Sequence, residues 1–212
     1  KTQSWGDRGN YGLSIDNKNR VWVASYGQNS WAAARYDPTN NTWAKAYTAG
    51  GTSAGMGRGV TADASGRVWV AQHGGWHHGR ITGYDADSME IVYDKYLGSS
   101  GNIPIGIGVG SGGKIWTANQ NSQNLAAYDP VSGALGFYPN DAAGGNNLRG
   151  SLYTYSDFTG NLRATFTDPQ GDYVEIVDGC FGGPIDSWDA LTWELTTQPA
   201  GTAAKFQVRV SS

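Results

Sequence analysis

The sequence has a single cysteine, Cys180, among its 212 residues, and only 16% of the residues are charged. One cysteine excludes a disulfide framework and a cysteine-based metal centre within the chain. We expect Cys180 to be buried as a small apolar side chain. No apolar run is long enough for a membrane helix, and neither a signal peptide nor an initiator methionine precedes Lys1. We therefore expect a processed mature form or a piece of a longer protein.

Charge of either sign is also scarce, with 15 Lys and Arg against 18 Asp and Glu. Residues 151–212 are acidic, with eight Asp and Glu against three Lys and Arg, whereas the charges of residues 1–150 nearly balance. Neither part has the basic cluster that steers a protein to nucleic acid, so we exclude that class.

Glycine and aromatic residues are abundant instead: 32 Gly, nine Trp and twelve Tyr. Aromatic side chains favour strands and glycines favour turns, so this composition predicts many short strands. The aromatic content is too high for a disordered chain.

A repeat with a 47-residue interval is the strongest signal in the sequence. Each copy has a glycine-led apolar run, then a Trp within an apolar strand, then a Tyr-Asp pair. The glycines are Gly12, Gly59 and Gly106, the tryptophans are Trp22, Trp69 and Trp116, and the pairs begin at Tyr36, Tyr84 and Tyr128. We interpret each copy as a four-stranded meander, strands a to d, and a period in the forties is typical of propeller blades. A stack of hairpins in a solenoid or sandwich is the less favoured alternative.

The turns between strands a and b support this interpretation. They carry Asn19, Gly66 and Gly113 at equivalent places. These residue types tolerate the positive φ that a tight turn requires.

We predict an all-β chain with two parts. Residues 1–146 form β-propeller blades, with repeats at about 11–48, 58–96 and 105–138, and residues 147–212 form a C-terminal β-sandwich or jelly roll. We expect this small domain either to lean on the blades or to continue beyond Ser212. Three blades do not close a ring, because propellers usually have four to eight. Further blades, other chains or the C-terminal domain must cover the open ends, and we favour the first two.

The repeat pattern resembles the streptogramin (virginiamycin B) lyase-like propellers and their NHL-type relatives. The pattern is Gly-Ile/Val-x-x-Asp, then Arg-Val-Trp-Val-Ala, then Tyr-Asp-Pro, over roughly residues 11–138. The segment 153–160 resembles the start of a module that follows such propellers in secreted bacterial proteins. The resemblance implies a propeller fold and a secreted or cell-surface location in bacteria.

The resemblance also implies where a lyase would hold its catalytic groups. The lyases use a His base just before the Gly-Ile of a strand a, an acidic residue after a strand b, and a magnesium ion. The equivalent residues here are Tyr11, Arg58 and Ile105 for the base and Ser25, Gln72 and Asn119 for the acid. None of them is His or acidic, so we predict no catalytic residue.

The loops between strands b and c mix aromatic residues with Asn, Gln, Ser and Gly. Strands alternate in direction, so the b–c and d–a loops share one rim, and this composition suits sugars or protein surfaces. The predicted ligand-binding residues are Tyr26, Trp31, His73, Trp76, His77 and Asn119. The alternative is that Trp31 and Trp76 cap the blade core.

Metal binding receives little support. His73, His77 and His78 share one loop, but no acidic residue or cysteine in that loop completes a transition-metal site. The aspartates after residue 150 form no dense calcium-binding loop. We predict neither a metal nor a cofactor.

These observations predict a non-catalytic, secreted or cell-surface propeller protein. It would act in binding or extracellular assembly through its loop rim and blade ends, with other proteins or further copies of itself as partners. One alternative is a carbohydrate-binding module, and another is a lyase-like enzyme whose catalytic blades lie outside this chain.

Overall fold

The computed structural model describes residues 9–27, 31–48, 56–74, 78–138, 152–154 and 158–159. All of them belong to one compact unit, Lys1–Gln170. Apart from the last two short stretches, the predicted C-terminal sandwich lies outside the described residues. No helix within the described ranges has the length and apolar character that crossing a membrane requires.

The described residues form three four-stranded antiparallel sheets, which correspond to the three predicted blades. In each sheet the strands pair in chain order, as the meander predicts. Blade 1 contains β1 (Asn10–Ile15), β2 (Val21–Ser25), β3 (Trp31–Asp37) and β4 (Thr42–Tyr47). Blade 2 contains β5 (Met56–Ala62), β6 (Arg67–Gly74), β7 (His78–Asp85) and β8 (Ile91–Gly98). Blade 3 contains β9 (Pro104–Val109), β10 (Ile115–Asn119), β11 (Asn124–Tyr128) and β12 (Leu135–Tyr138). Short 3-10 turns at Ser99–Gly101 and Ser111–Gly113 flank β9.

The tight turns between the first two strands of each blade are confirmed. Asn19, Gly66 and Gly113 have φ values of 59°, 78° and 77°. Only residues that accept a left-handed conformation fit these three places, which explains why Asn and Gly recur there.

The blades stack with their first strands side by side, because β5 lies against both β1 and β9. Gly12 in β1 shows how close these strands are, since a Cβ atom there would come within 2.5 Å of the Arg58 carbonyl oxygen in β5. A side chain at this position would push the two blades apart.

The core consists of the two interfaces between successive blades. In the first interface Trp22 of blade 1 is fully buried against Val60, Val68 and Val70 of blade 2. The second repeats the arrangement, with buried Trp69 of blade 2 packed beside Ile107, Val109, Ile115 and Tyr128 of blade 3.

We call the side of a blade that faces the preceding blade its leading face, and the opposite side its trailing face. Each Trp therefore lies on a trailing face and reaches the next blade.

A buried aspartate fixes the orientation of the Trp in blades 1 and 2. In blade 1 the Asp16 carboxylate accepts a 2.9 Å hydrogen bond from Trp22 Nε1 and a 2.7 Å bond from Arg20 Nε. It also accepts from the backbone N–H groups of Lys18 and Arg20. Blade 2 repeats all four bonds on Asp63, with donors in Ser65, Arg67 and Trp69. Four donors compensate the cost of burying each carboxylate.

Blade 3 departs from this pattern. Gly110 stands where the other blades have the aspartate, and a Cβ atom there would lie 2.6 Å from Trp116 Nε1. Trp116 is only half-buried and packs against Tyr138, with ring centres 5.4 Å apart. Trp116 therefore matches Trp22 and Trp69 in its place on the sheet but not in its surroundings, because no further blade follows it among the described residues.

The described part of segment 152–159 lies against β9. A Cβ atom added to Gly106 would meet Thr154 and Phe158. Thr159 Oγ1 donates a 2.6 Å hydrogen bond to the Val109 carbonyl. These contacts are made by described residues of segment 152–159, and the packing of a C-terminal sandwich on the blades stays a prediction.

We predict that Asp63→Ala lowers the free energy of unfolding by about 3 kcal/mol, because Arg67 and the Trp69 indole lose their common acceptor. Chemical denaturation measures the change. Asp37→Ala is the matched control, since the Asp37 carboxylate accepts one 2.9 Å bond from the Thr39 backbone at the exposed surface. Equal losses in the two variants would contradict a structural role for the buried carboxylate.

Candidate functional site at the upper rim

The candidate site is the edge of the blades at which the first strand of each sheet begins and the second ends. We call it the upper rim and define it by Asn10, Met56 and Pro104, the first residues of β1, β5 and β9. The pairings Asn10 with Ser25, Gly57 with Gln72 and Pro104 with Asn119 place the first and second strands next to each other there. The positions equivalent to the lyase base and acid therefore lie together at this rim in every blade.

The acid-equivalent residues are buried, and two of them, Gln72 and Asn119, form hydrogen bonds within the blades. Ser25, Gln72 and Asn119 are 1%, 0% and 0% exposed. Asn119 accepts a 2.9 Å hydrogen bond from Thr117 Oγ1 and donates one of 2.9 Å to Asn124 Oδ1, which joins the ends of β10 and β11. These amides are engaged within the sheet and lack the basicity of a carboxylate.

Gln72 takes part in a link between blades 1 and 2. Its Nε2 donates a 3.1 Å hydrogen bond to the hydroxyl of Tyr84, and that hydroxyl donates a 2.9 Å bond to the Tyr47 carbonyl in blade 1. Burial raises the pKa of Tyr84 well above its ordinary value, so the phenol stays protonated. Gln72 therefore positions a structural hydroxyl.

The base-equivalent residues form a different kind of cluster. The guanidinium carbon of Arg58 lies 4.8 Å from the ring centre of Tyr11 and 4.2 Å from that of Tyr26. The two rings stack on each other, with centres 5.1 Å apart and planes inclined by 23°. The Tyr11 hydroxyl also forms a hydrogen bond with the Tyr153 hydroxyl. We call Tyr11, Tyr26, Arg58 and Tyr153 the rim cluster.

The electrostatics of the cluster suit binding better than proton transfer. Burial and the bond to Tyr153 raise the pKa of Tyr11 well above its ordinary value, although the nearby Arg58 charge acts in the opposite direction. Tyr11 is therefore a neutral hydrogen-bond donor at physiological pH. The guanidinium of Arg58 offers hydrogen-bond donors and no acceptor.

The six predicted ligand-binding residues differ in their exposure to solvent where the structure describes them. Tyr26 is 38% exposed at the rim, whereas Trp31 and His73 are only 6% and 7% exposed and Asn119 is fully buried. The burial of Trp31 favours the alternative that it caps the blade core. Trp76 and His77 lie outside the described residues, and ligand binding by this set stays a prediction.

Arg58, Tyr11 and Tyr153 are candidate binding residues that sequence reasoning missed. Arg58 could have been found, since it is the one charged residue of β5. Within the described ranges, no three His, Cys, Asp or Glu side chains come together in a group that could hold a metal ion.

Comparison with solved structures shows the fold. A catalytically inactive virginiamycin B lyase from Staphylococcus aureus, solved with quinupristin, matches 66% of this chain with a TM-score of 0.52 and 19% identity. The fold is that of the lyase-like β-propellers. The extracellular domain of a one-component system from B. thetaiotaomicron matches 69% of the chain with a TM-score of 0.51 and 15% identity. Apo AztD from Citrobacter koseri matches 74% of the chain with a TM-score of 0.50 and 12% identity.

The chain spans less than half the length of each of these propellers, covering 45% of the lyase, 18% of the extracellular domain and 39% of AztD. No family model matches the sequence, and no curated protein matches it. Identities below 25% establish the shared fold alone. The lyase-like propeller predicted from the repeat is confirmed at that level.

We predict that Tyr84→Phe lowers the free energy of unfolding by about 1–2 kcal/mol, because Gln72 and the Tyr47 carbonyl both lose a buried partner. The matched control is Tyr36→Phe, whose hydroxyl donates only to Asn41 at the exposed surface. Urea denaturation of the two variants checks the prediction. A Tyr84→Phe protein no less stable than the Tyr36→Phe protein would refute the link between blades.

Proposed function

We propose that this chain is a non-catalytic β-propeller protein, secreted or held at the bacterial cell surface, that acts by binding and assembly. In this proposal the leading face of blade 1 takes a blade from a second copy of the chain. The observation that carries the proposal is the exposure of Leu13. Leu13 is 54% exposed, whereas its equivalents Val60 and Ile107 are 0% exposed.

The neighbouring positions support the same interpretation. Val21 and Val23 of blade 1 are half-buried, whereas Val68 and Val70 of blade 2 are fully buried. These residues keep the apolar character of the buried positions, although the described residues contain no blade before blade 1. Covering an exposed side chain such as Leu13 contributes about 2 kcal/mol.

The packing between successive blades favours a second copy of the chain as the partner that covers the leading face of blade 1. Blades 1 and 2 each present a Trp on the trailing face that packs against the leading face of the next blade. Blade 3 presents a half-buried Trp116 at the same place on its sheet. Thr154 and Phe158 occupy the space beside Gly106 that corresponds to the contact of Gly12 with Arg58 between blades 1 and 2. A contact of blade 3 with blade 1 of another copy would therefore repeat the packing around the Trp and not the contact between first strands.

The chemistry of the rim supports the non-catalytic part. Gln72 and Asn119 form hydrogen bonds within the blades, Ser25 is buried, and Arg58 stands at a position equivalent to the lyase base. If the protein were an enzyme with catalytic blades outside this chain, none of the described residues would supply a catalytic group. Some of the propellers that this chain resembles in fold are extracellular domains, which supports the location.

We predict that the chain self-associates and that Leu13→Arg weakens the association by about tenfold or more, because a charge replaces the apolar contact. Native mass spectrometry and sedimentation velocity over a concentration series measure the change. Val131→Arg is the matched control, since Val131 is 91% exposed in a turn of blade 3 away from the leading face.

Two results would contradict the proposal. The first is a wild-type chain that stays monomeric at the highest concentration tested. The second is an association that Leu13→Arg and Val131→Arg weaken equally.

A further inference from the structure

Arg58 is a buried cation without a counter-ion among the described residues. Its side chain lies between two phenol rings, the residue is only 7% exposed, and its Nε has no hydrogen-bond partner among the described residues. Contact with aromatic faces stabilises a guanidinium but supplies no negative charge. A buried charge without a counter-ion is costly, so an anion at this place has a large effect.

No described carboxylate forms an ion pair with Arg58. The carboxylates of Asp16, Asp63 and Asp87 lie in the turns at the opposite edge of the blades, where they pair with cations of their own. The upper rim is thus the positive end of the described blades, and a negative ligand there meets no opposing carboxylate from the described residues.

We propose that the rim cluster binds a carboxylate-bearing saccharide of the uronic-acid type. The carboxylate accepts hydrogen bonds from the planar guanidinium of Arg58, whose fork of donors matches two carboxylate oxygens. The sugar ring packs against the exposed part of Tyr26, which is 38% exposed and offers an apolar face. This site does not depend on assembly through blade 1.

Two features favour a carboxylate over a phosphate or sulfate. Arg58 is the one cation that the described residues bring into contact with the rings of Tyr11 and Tyr26, so the local charge matches a single negative charge. Tyr11 adds a neutral phenol, held beside the guanidinium by its stacking on Tyr26. A doubly charged phosphate would leave part of its charge without a cation.

The direct test is a titration of the full chain followed by the Arg58 Nε–H resonance in ¹⁵N NMR spectra. Galacturonate and its dimer are the probes, galactose is the matched neutral sugar, and inorganic phosphate and sulfate are the alternative anions. We expect a saturable shift of the Arg58 signal with the two uronates and none with galactose. A shift with phosphate or sulfate of equal affinity, or no shift with the uronates, overturns the proposal.

Variants separate binding from folding. We expect Arg58→Gln to weaken galacturonate-dimer binding about tenfold to a hundredfold, the range for loss of a hydrogen-bonded charge. Arg80→Gln is the matched control, because Arg80 also lies over a tyrosine, with its guanidinium carbon 5.8 Å from the Tyr96 ring centre, but it already pairs with Asp94. Unchanged affinity in Arg58→Gln, or an equal loss in Arg80→Gln, contradicts the assignment.

A second pair of variants covers the case in which Arg58→Gln does not fold. Arg58→Lys keeps the charge and loses the planar fork, and Tyr26→Leu keeps Arg58 and loses the exposed ring. We expect both to weaken dimer binding, and Tyr26→Leu to leave the response of the Arg58 signal to acetate unchanged. Full affinity in both variants also overturns the proposal.

Discussion

The packing of one blade on the next is the constraint on which the rest of the structure depends. A four-stranded sheet with two apolar faces is stable only when neighbours cover both. Among the described residues blade 2 meets this condition, with Trp22 of blade 1 packed on one face and its own Trp69 packed against blade 3 on the other. The buried Asp16 and Asp63 hold these indoles in one orientation, so each interface repeats the other in detail. The same rule applies at the two ends of the described blades, where the repeated contact stops at Leu13 in blade 1 and at Trp116 in blade 3.

The repeat was predictable because its determinants are local. Asn19, Gly66 and Gly113 mark turns through their own backbone conformations, and alternating apolar residues with a constant interval define the strands between them. The interval also predicted which residues occupy equivalent places, and the pairing at the upper rim agrees with it. The loss of the aspartate at Gly110 was visible in the sequence, but its effect on Trp116 depends on three-dimensional packing.

The candidate site was harder to predict, because its members come together only across blades. Arg58 and Tyr11 lie 47 positions apart and meet because β1 and β5 are neighbours, while Tyr26 reaches them from the end of β2. A loop composition rich in aromatic and amide residues drew attention to the upper rim, yet it could not distinguish exposed Tyr26 from buried Trp31 and His73. Trp31 and His73 belong to strands β3 and β6, and their burial depends on packing that loop composition does not specify.

Whether each leading face requires a neighbouring blade can be tested through the solvent accessibility of methyl groups, measured in NMR spectra with a soluble paramagnetic probe. Val60 and Ile107 should stay protected at every protein concentration, because each faces a preceding blade. Leu13 should be strongly relaxed in dilute protein and become protected as the concentration rises. Protection of Leu13 at all dilutions, or accessibility of Val60 equal to that of Leu13, would contradict the claim that each leading face requires a neighbouring blade.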